Sequence, residues 1–134
     1  MAIILAVDDQ KVMRELVREL VRGVLEDEGH EVLLAEDCMQ AMQVARDNAV
    51  DLVLSDINMP NMNGISLVSK LRRLDHYAET PIIMLTTESA DFKKDKAKRM
   101  GANGWLQKPF DPKRLQKAVN TMLAKTGHVL PARS

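Results

Sequence analysis

Short apolar runs recur along the chain without the alternation expected of a strand that faces water on one side. Four of them lie at Ile3–Val7, Val32–Ala35, Leu52–Leu54 and Ile82–Leu85. The segments between them have helical periodicity, and buried parallel strands joined by helices produce this succession. A fifth strand is predicted over 104–107, and Asp111 and Pro112 are typical of the cap and first position of a last helix. The pattern therefore predicts an α/β fold, a doubly wound sheet of five parallel strands with helices on both faces.

The predicted first helix, over residues 11–28 and ended by Gly29, contains a direct repeat. Glu15-Leu-Val-Arg18 is followed by Glu19-Leu-Val-Arg22, so apolar residues recur every four positions. Because an α-helix turns about 100° per residue, this spacing winds the apolar stripe around the helix and away from the sheet. At about 27 Å, the helix is longer than a five-residue strand of about 17 Å. We expect it to extend beyond the sheet, either as an additional solvated turn or as a self-association surface or an exchanged helix.

The composition is that of one globular domain: 134 residues, 46% hydrophobic and 28% charged, enough to fold without metals or disulfides. The single cysteine, Cys38, excludes an internal disulfide framework and a cysteine-rich zinc site, and is typical of a cytoplasmic protein. We expect its thiol to be a buried small group, with a redox sensor as the alternative. No apolar run approaches the ~18 residues of a membrane helix, and no basic segment typical of a signal peptide precedes the first strand.

The net charge is zero, but the charges are unevenly distributed. Residues 1–59 carry 13 acids and 5 bases, whereas residues 60–134 carry 6 acids and 14 bases. A neutral sum gives no general attraction to nucleic acid or to anionic lipid. The two opposite poles predict a cation site on one side of the domain and a protein-binding surface on the other.

Acidic residues lie at the ends of two predicted strands. Asp8 and Asp9 follow the first strand and Asp56 follows the third, and in a doubly wound sheet these ends meet at one crevice. At ~4 Å and an effective dielectric constant near 20, each pair of like charges costs on the order of 4 kcal/mol. The cluster therefore requires a divalent cation, protons or a lysine. Oxygen ligands with room for water favour Mg²⁺, whereas zinc is disfavoured because the three histidines lie outside these segments.

The strand ends together form a more specific pattern than an acidic pair. Asn58 and Pro60 follow Asp56, a pair of threonines that begins with Thr86 ends the fourth strand, and Lys108 follows the fifth. These features resemble the receiver domain of two-component response regulators, above all the stand-alone chemotaxis regulators of the CheY type. The segments that carry the resemblance are Ala6-Val-Asp-Asp9, Ser55-Asp-Ile-Asn-Met-Pro-Asn-Met-Asn-Gly64, Pro81-Ile-Ile-Met-Leu-Thr-Thr-Glu88 and Gly101-Ala-Asn-Gly-Trp-Leu-Gln-Lys-Pro-Phe110.

The resemblance extends from Ile3 to about Lys125. It implies a flavodoxin-like fold with strand order 2-1-3-4-5, a receiver domain over 1–126 and a tail over 127–134 that frays. It also implies that the protein catalyses only its own phosphorylation and dephosphorylation.

The family also implies a role for each residue of the acidic cluster. Asp56 accepts a phosphoryl group from the phosphohistidine of a sensor histidine kinase. Asp9, Asp56 and the carbonyl of Asn58 bind Mg²⁺, and Asp8 acts through metal-bound water. Lys108 supplies a second positive charge to the phosphoryl oxygens.

Other positions of the pattern imply a switch. Thr86 bonds to the phosphoryl oxygen, and its movement vacates space into which Trp105 rotates; Trp105 as a packing residue is the alternative. Asn58 and Glu88 occupy positions that influence water access to the acyl phosphate, and here they match the fast-resetting chemotaxis pattern. The duplicated turn leaves two expectations for the assembly state, a monomer and a dimer formed through the first helix.

The family binds its targets through the fourth helix, fifth strand and fifth helix. In this chain that region is basic, with five bases between Lys93 and Arg99 and three more at Lys113, Arg114 and Lys117. A basic surface fits an acidic segment of a partner, such as a flagellar motor switch protein, although a solvated helix face has the same composition.

Three other functions remain as alternatives. A phosphate sink or phosphorelay adaptor would use the same site without a motor target. An aspartyl-phosphate phosphatase of the haloacid dehalogenase type would have Asp in place of Asn58. A flavodoxin-like carrier of FMN would have a hydroxyl-rich phosphate loop after the first strand, which this sequence lacks.

Overall fold

The computed structural model describes residues 2–8, 19, 30–56, 64–86, 95, 98–107 and 112–125. The five strands are β1 (Ile3–Val7), β2 (Glu31–Ala35), β3 (Leu52–Asp56), β4 (Ile82–Thr86) and β5 (Gly104–Gln107). The helices described from end to end are α1 (Cys38–Asp47), α2 (Gly64–Arg72) and α3 (Pro112–Lys125), and a 3₁₀ turn (Asp75–Tyr77) follows α2. Helix α3 corresponds to the last helix that the sequence predicts.

The five strands form one parallel sheet in the order β2-β1-β3-β4-β5. The predicted fold class and the strand order implied by the family resemblance are confirmed. Strand β3 extends two residues beyond the apolar run that predicted it, because Ser55 pairs with Val7 of β1 and Asp56 pairs with Leu85 of β4. This extension makes Asp56 the last residue of the central strand.

Helices cover both faces of the sheet. In β1, Leu5 and Val7 pack in the core layer that contains the buried residues of α1 and α2. The alternate residues Ile4 and Ala6 pack in the other layer, with the buried residues of α3. Because successive strand side chains point to opposite faces, a run without polar interruption is buried on both sides. The predicted double winding is confirmed.

Some predictions fall on residues that the structure does not describe. Helix α3 begins at Pro112 as predicted, but its predicted cap, Asp111, lies outside the described residues. The first helix is represented by Glu19 alone, which is helical and exposed. The remainder of the duplicated turn and the tail over 127–134 also lie outside. Within the described ranges, no helix is long and apolar enough to cross a membrane.

Helix α1 is capped at both ends. Asp37 accepts a hydrogen bond from the Gln40 backbone at 2.7 Å, and the Gln40 side chain accepts one from the Glu36 backbone at 2.6 Å. At the other end, the backbone and side-chain amides of Asn48 both donate to the Val44 carbonyl at 3.0 Å. These bonds satisfy backbone groups that a helix terminus leaves without partners. These bonds therefore define where α1 begins and ends.

Tyr77 connects the 3₁₀ turn to the far end of α1 and the start of β3. Its side chain is buried, and its hydroxyl lies 2.5 Å from the Ala45 carbonyl and 2.6 Å from the Asn48 carbonyl. The hydroxyl also accepts a bond from the Val50 amide at 3.2 Å. Burial raises the pKa of the phenol above its usual value, so the hydroxyl keeps the proton that it donates.

Cys38, the first residue of α1, is fully buried. Burial and, to a smaller extent, the neighbouring charge of Asp37 raise the pKa of the thiol from 9.0 to about 11. The thiolate is the reactive form of cysteine, so this environment suppresses the redox chemistry that an exposed thiol would have. The prediction of a buried small side chain is confirmed.

We predict that the Cys38 thiol reacts slowly with disulfide reagents in the native protein. A pKa of about 11 instead of 9.0 lowers the thiolate fraction about 100-fold at pH 8, and burial slows the reaction further. Folding raises the pKa of the thiol, so the folded state favours the protonated form. The contribution of this protonated thiol to the stability of the protein is therefore complete below pH 9 and is lost as the pH rises towards 11. Rapid native-state labelling at pH 8, or a stability difference between the unaltered protein and Cys38→Ala that does not change from pH 8 to 11, would contradict this assignment.

Candidate functional site

Two aspartates lie side by side at the carboxyl edge of the sheet. Val7 of β1 pairs with Ser55 of β3, so the next residues, Asp8 and Asp56, are level on strands ~4.8 Å apart. Both side chains are buried, with 3% of Asp8 and 9% of Asp56 exposed. Two carboxylates buried this close together favour a positively charged partner, such as a bound cation.

The backbone around this pair is held by hydrogen bonds. The Asp8 amide donates to the Ala35 carbonyl at 3.1 Å, which continues the β1–β2 ladder past the end of β1. The hydroxyl of Ser55, itself fully buried, donates to the Asp56 carbonyl at 3.0 Å. No role was predicted for Ser55 from the sequence, although a hydroxyl residue at the end of an apolar strand is a usable signal. These bonds hold the two carboxylates at fixed positions along the edge.

The same edge continues to Thr86 and to the end of β5. Asp56 pairs with Leu85, the residue before Thr86, and Thr86 pairs with Gln107. Lys108 is the next residue of the sequence after Gln107. The structure thus brings Asp8, Asp56 and the backbone of Thr86 to one edge, in the order of the strands.

Part of the predicted site is not described. The structure describes the backbone of Thr86 but not its hydroxyl, and Asp9, Asn58, Glu88 and Lys108 lie outside the described ranges. Among the described residues, no group of three or more side chains of the metal-binding types is present. The roles of these residues therefore stay predictions.

The donors at this edge are oxygen atoms. Asp8 and Asp56 supply carboxylates, which are typical ligands of Mg²⁺. His30 lies at the opposite, amino edge, where its Nδ1 accepts a hydrogen bond from the Ala2 amide at 3.0 Å. His76 lies in the 3₁₀ turn with its ring edge-on to Tyr77. This donor set fits a hard divalent cation better than zinc.

Trp105 lies in β5 beside Met84 of β4. It is partly buried and packs against the core layer that α1 and α2 cover. This contact agrees with a packing role, and the predicted rotation of Trp105 stays a prediction.

The basic residues that the structure describes in the predicted target-binding region are exposed. We define this basic surface by Lys98 and Arg99, which precede β5, and by Lys113, Arg114 and Lys117 of α3. Their exposure agrees both with partner binding and with a solvated helix face.

The chain is similar to proteins of one family over most of its length. The response regulator receiver domain matches residues 4–120. Protein PilH of Pseudomonas aeruginosa is 37% identical over 124 residues, which cover 92% of this chain and 99% of PilH. The solved chemotaxis protein CheY4 of Vibrio cholerae is 42% identical, with a TM-score of 0.83 over 91% of this chain and 98% of CheY4.

Another solved structure contains a metal. The receiver domain of a sensor histidine kinase from Pseudomonas aeruginosa PAO1, with a magnesium ion coordinated in its active site cleft, is 27% identical. Its TM-score is 0.83, over 92% of this chain and 98% of that domain.

The chain spans about half the length of several other curated relatives that it matches. It is 36% identical over 124 residues to the phosphate regulon transcriptional regulatory protein PhoB of Pseudomonas aeruginosa, covering 92% of this chain but 52% of PhoB. From the family match and the agreement in fold, the chain belongs to the response regulator receiver domains and is CheY-like.

Proposed function

We propose that this chain is a phosphorylation switch that accepts a phosphoryl group on Asp56 and thereby changes its affinity for a protein target. The observation that supports this most strongly is the position of Asp56, at the carboxyl end of the central strand and level with Asp8. An oxygen of the Asp56 carboxylate attacks phosphorus, and the bond from phosphorus to the imidazole nitrogen of the kinase breaks. The imidazole keeps the electron pair and takes up a proton, and Asp56 becomes an acyl phosphate.

The residues around Asp56 position and stabilise the phosphoryl group. Asp56, Asp9 and the Asn58 carbonyl would bind Mg²⁺, with Asp8 acting through a water molecule. When bound, the ion neutralises negative charge on the phosphoryl oxygens. The hydroxyl of Thr86 donates to a phosphoryl oxygen, and the Lys108 ammonium pairs with another. In this proposal Asn58 and Glu88 set how fast water hydrolyses the acyl phosphate.

The proposed output is binding of an acidic segment by the basic surface. Its exposed lysines and arginines lie on α3 and on the segment that leads through residues 100–103 into β5, the strand that carries Trp105. The likeness to the chemotaxis protein CheY4 favours a flagellar motor switch protein as the target. A phosphate sink or phosphorelay adaptor is the alternative, supported by the same acceptor site.

We predict that Asp56→Asn lowers the stabilisation of the protein by Mg²⁺. The substitution replaces a charged oxygen ligand by a neutral amide, which is a weaker ligand for a hard divalent cation. Urea unfolding at neutral pH, with and without Mg²⁺, measures the effect, and the ion should raise the free energy of unfolding of the unaltered protein more than that of the variant. Asp47→Asn, an exposed position on α1, is the control. An Asp56→Asn protein that gains as much from Mg²⁺ as the unaltered protein would contradict the proposed site.

We predict that a small acyl phosphate donor with Mg²⁺ adds one phosphoryl group to the protein. Intact mass measures the addition, and the fluorescence of Trp105, the only tryptophan, should change with it. Asp56→Asn should abolish both changes, whereas Asp47→Asn should retain them. A phosphoryl group that persists in the Asp56→Asn variant would assign the acceptor to another residue.

We predict that the beryllofluoride-loaded protein binds a motor switch protein more tightly than the unloaded form. Because the contact is between opposite charges, the association should weaken with ionic strength, and Lys117→Glu should weaken it about tenfold or more. Arg73→Glu, an exposed charge reversal directly after α2, on the other face of the sheet, is the control. Rapid phosphotransfer without any beryllofluoride-dependent binding would favour the phosphate sink or adaptor.

A further inference from the structure

The guanidinium group of Arg72, at the end of α2, joins three segments at the amino edge of the sheet. Its Nη1 donates to the carbonyls of Tyr77 and Thr80 at 2.8 and 2.5 Å. Its Nε and Nη2 donate to the Gly101 carbonyl at 3.2 and 2.7 Å, and Nη2 also donates to the Asn103 side chain at 2.7 Å. The planar fork of donors lets one side chain hold the approach to β4 and the approach to β5 together.

Asn103 hydrogen-bonds both to Arg72 and to the first residue of β4. Its Oδ1 accepts from the Ile82 amide at 2.9 Å as well as from Arg72. Its own backbone amide donates to the Ile82 carbonyl at 2.8 Å. The first residue of β4 is therefore bonded in both directions to the residue that precedes β5.

The turn before β5 contains Gly101, which packs directly against the Arg72 side chain. Gly101 has a φ of 115°, a conformation that other residues rarely adopt. A Cβ atom at this position would lie 2.9 Å from the Arg72 Nε and 3.1 Å from its Cγ. A side chain at position 101 would thus displace the guanidinium that orients the turn.

Strand β5 needs such a constraint because its own sequence specifies its register weakly. It has four residues, it is at the edge of the sheet, and its first residue is Gly104, which has no side chain to pack. A slip of one residue moves each partner by about 3.3 Å and turns its side chain to the other face. With the observed register, Gln107 is opposite Thr86, and Trp105 is opposite Met84.

We propose that Arg72, acting through Asn103 and the Gly101 turn, is a positioning residue that fixes the register of β5. It lies at the amino edge, one strand length of about 17 Å from the acidic edge, and touches no reacting atom. The register decides which residue of β5 is opposite Thr86. In this proposal it therefore also sets the position of Lys108, which follows Gln107 in the sequence. This last step rests on the proposed function of Asp56, Thr86 and Lys108.

Arg72→Lys tests the proposal, because it keeps the charge and the aliphatic stem but loses the fork of donors. Arg73→Lys, at the next and exposed position, is the matched control. We expect hydrogen exchange at the amides of Trp105, Leu106 and Gln107 to accelerate about tenfold or more in Arg72→Lys, while β1 and β3 keep their protection. Equal acceleration in all strands, or unchanged exchange in β5, would overturn the role in register.

Two variants of Asn103 test the pathway. The observed bonds of the side chain use its oxygen as acceptor. Asn103→Asp retains that acceptor and should preserve slow exchange in β5, whereas Asn103→Ala should behave like Arg72→Lys. Equal behaviour of the two Asn103 variants would show that the acceptor does not carry the constraint.

The functional readout separates phosphorylation from metal binding. Because Asp8 directly follows β1 and Asp56 ends β3, Arg72→Lys should lower the rate of phosphorylation by a small donor about tenfold while the affinity for Mg²⁺ is unchanged. A parallel loss of both would indicate general destabilisation, and an unchanged rate despite faster exchange in β5 would refute the link to Lys108. If the unaltered protein takes no phosphoryl group, the proposed function fails, and the exchange data still decide the register.

Discussion

The register between β1 and β3 places two acidic side chains next to each other, and much of the domain serves to hold them there. Asp8 and Asp56 are buried on neighbouring strands, where two carboxylates need positive charge close to them. Both faces of the sheet are covered and the ladder continues past Val7 to Ala35, so the backbone of the two residues is held in place. The concentration of acidic oxygen atoms at this edge is the property that makes the edge suitable for a divalent cation.

The sequence predicted the three central strands well, because β1, β3 and β4 are buried on both faces and their buried parts are therefore continuous apolar runs. The runs carry no information about which strands pair, and the strand order came from the family resemblance. The carboxyl-edge residues could be predicted because they follow an apolar run directly, as Asp8 does, or within two residues, as Asp56 does. The end of β3 was less predictable, since Ser55 is polar and yet continues the strand by pairing with Val7 of β1.

The polar contacts of the amino edge could not be predicted. Arg72 and Asn103 are common residue types, and Arg72 bonds mainly to backbone carbonyls, which no side-chain pattern reveals. The partners are also distant in the sequence: Arg72 and Gly101 are 29 residues apart, and Tyr77 and Ala45 are 32 apart. Such contacts become visible only once the strand order and register are known. The hydrogen bonds that join distant segments thus lie at the amino edge of the sheet, and the charged groups that can bind a ligand lie at the carboxyl edge.

The hydrogen bonds of the Tyr77 hydroxyl have a consequence for the order in which the protein folds. It brings the end of α1, the start of β3 and the turn before β4 together through neutral groups, without any electrostatic penalty. Closing the acidic edge, by contrast, brings two carboxylates together and requires positive charge close to them. We expect nucleation to begin at the tyrosine end and to proceed towards the aspartates, so that ions in the refolding buffer affect the late steps of folding and not the first ones.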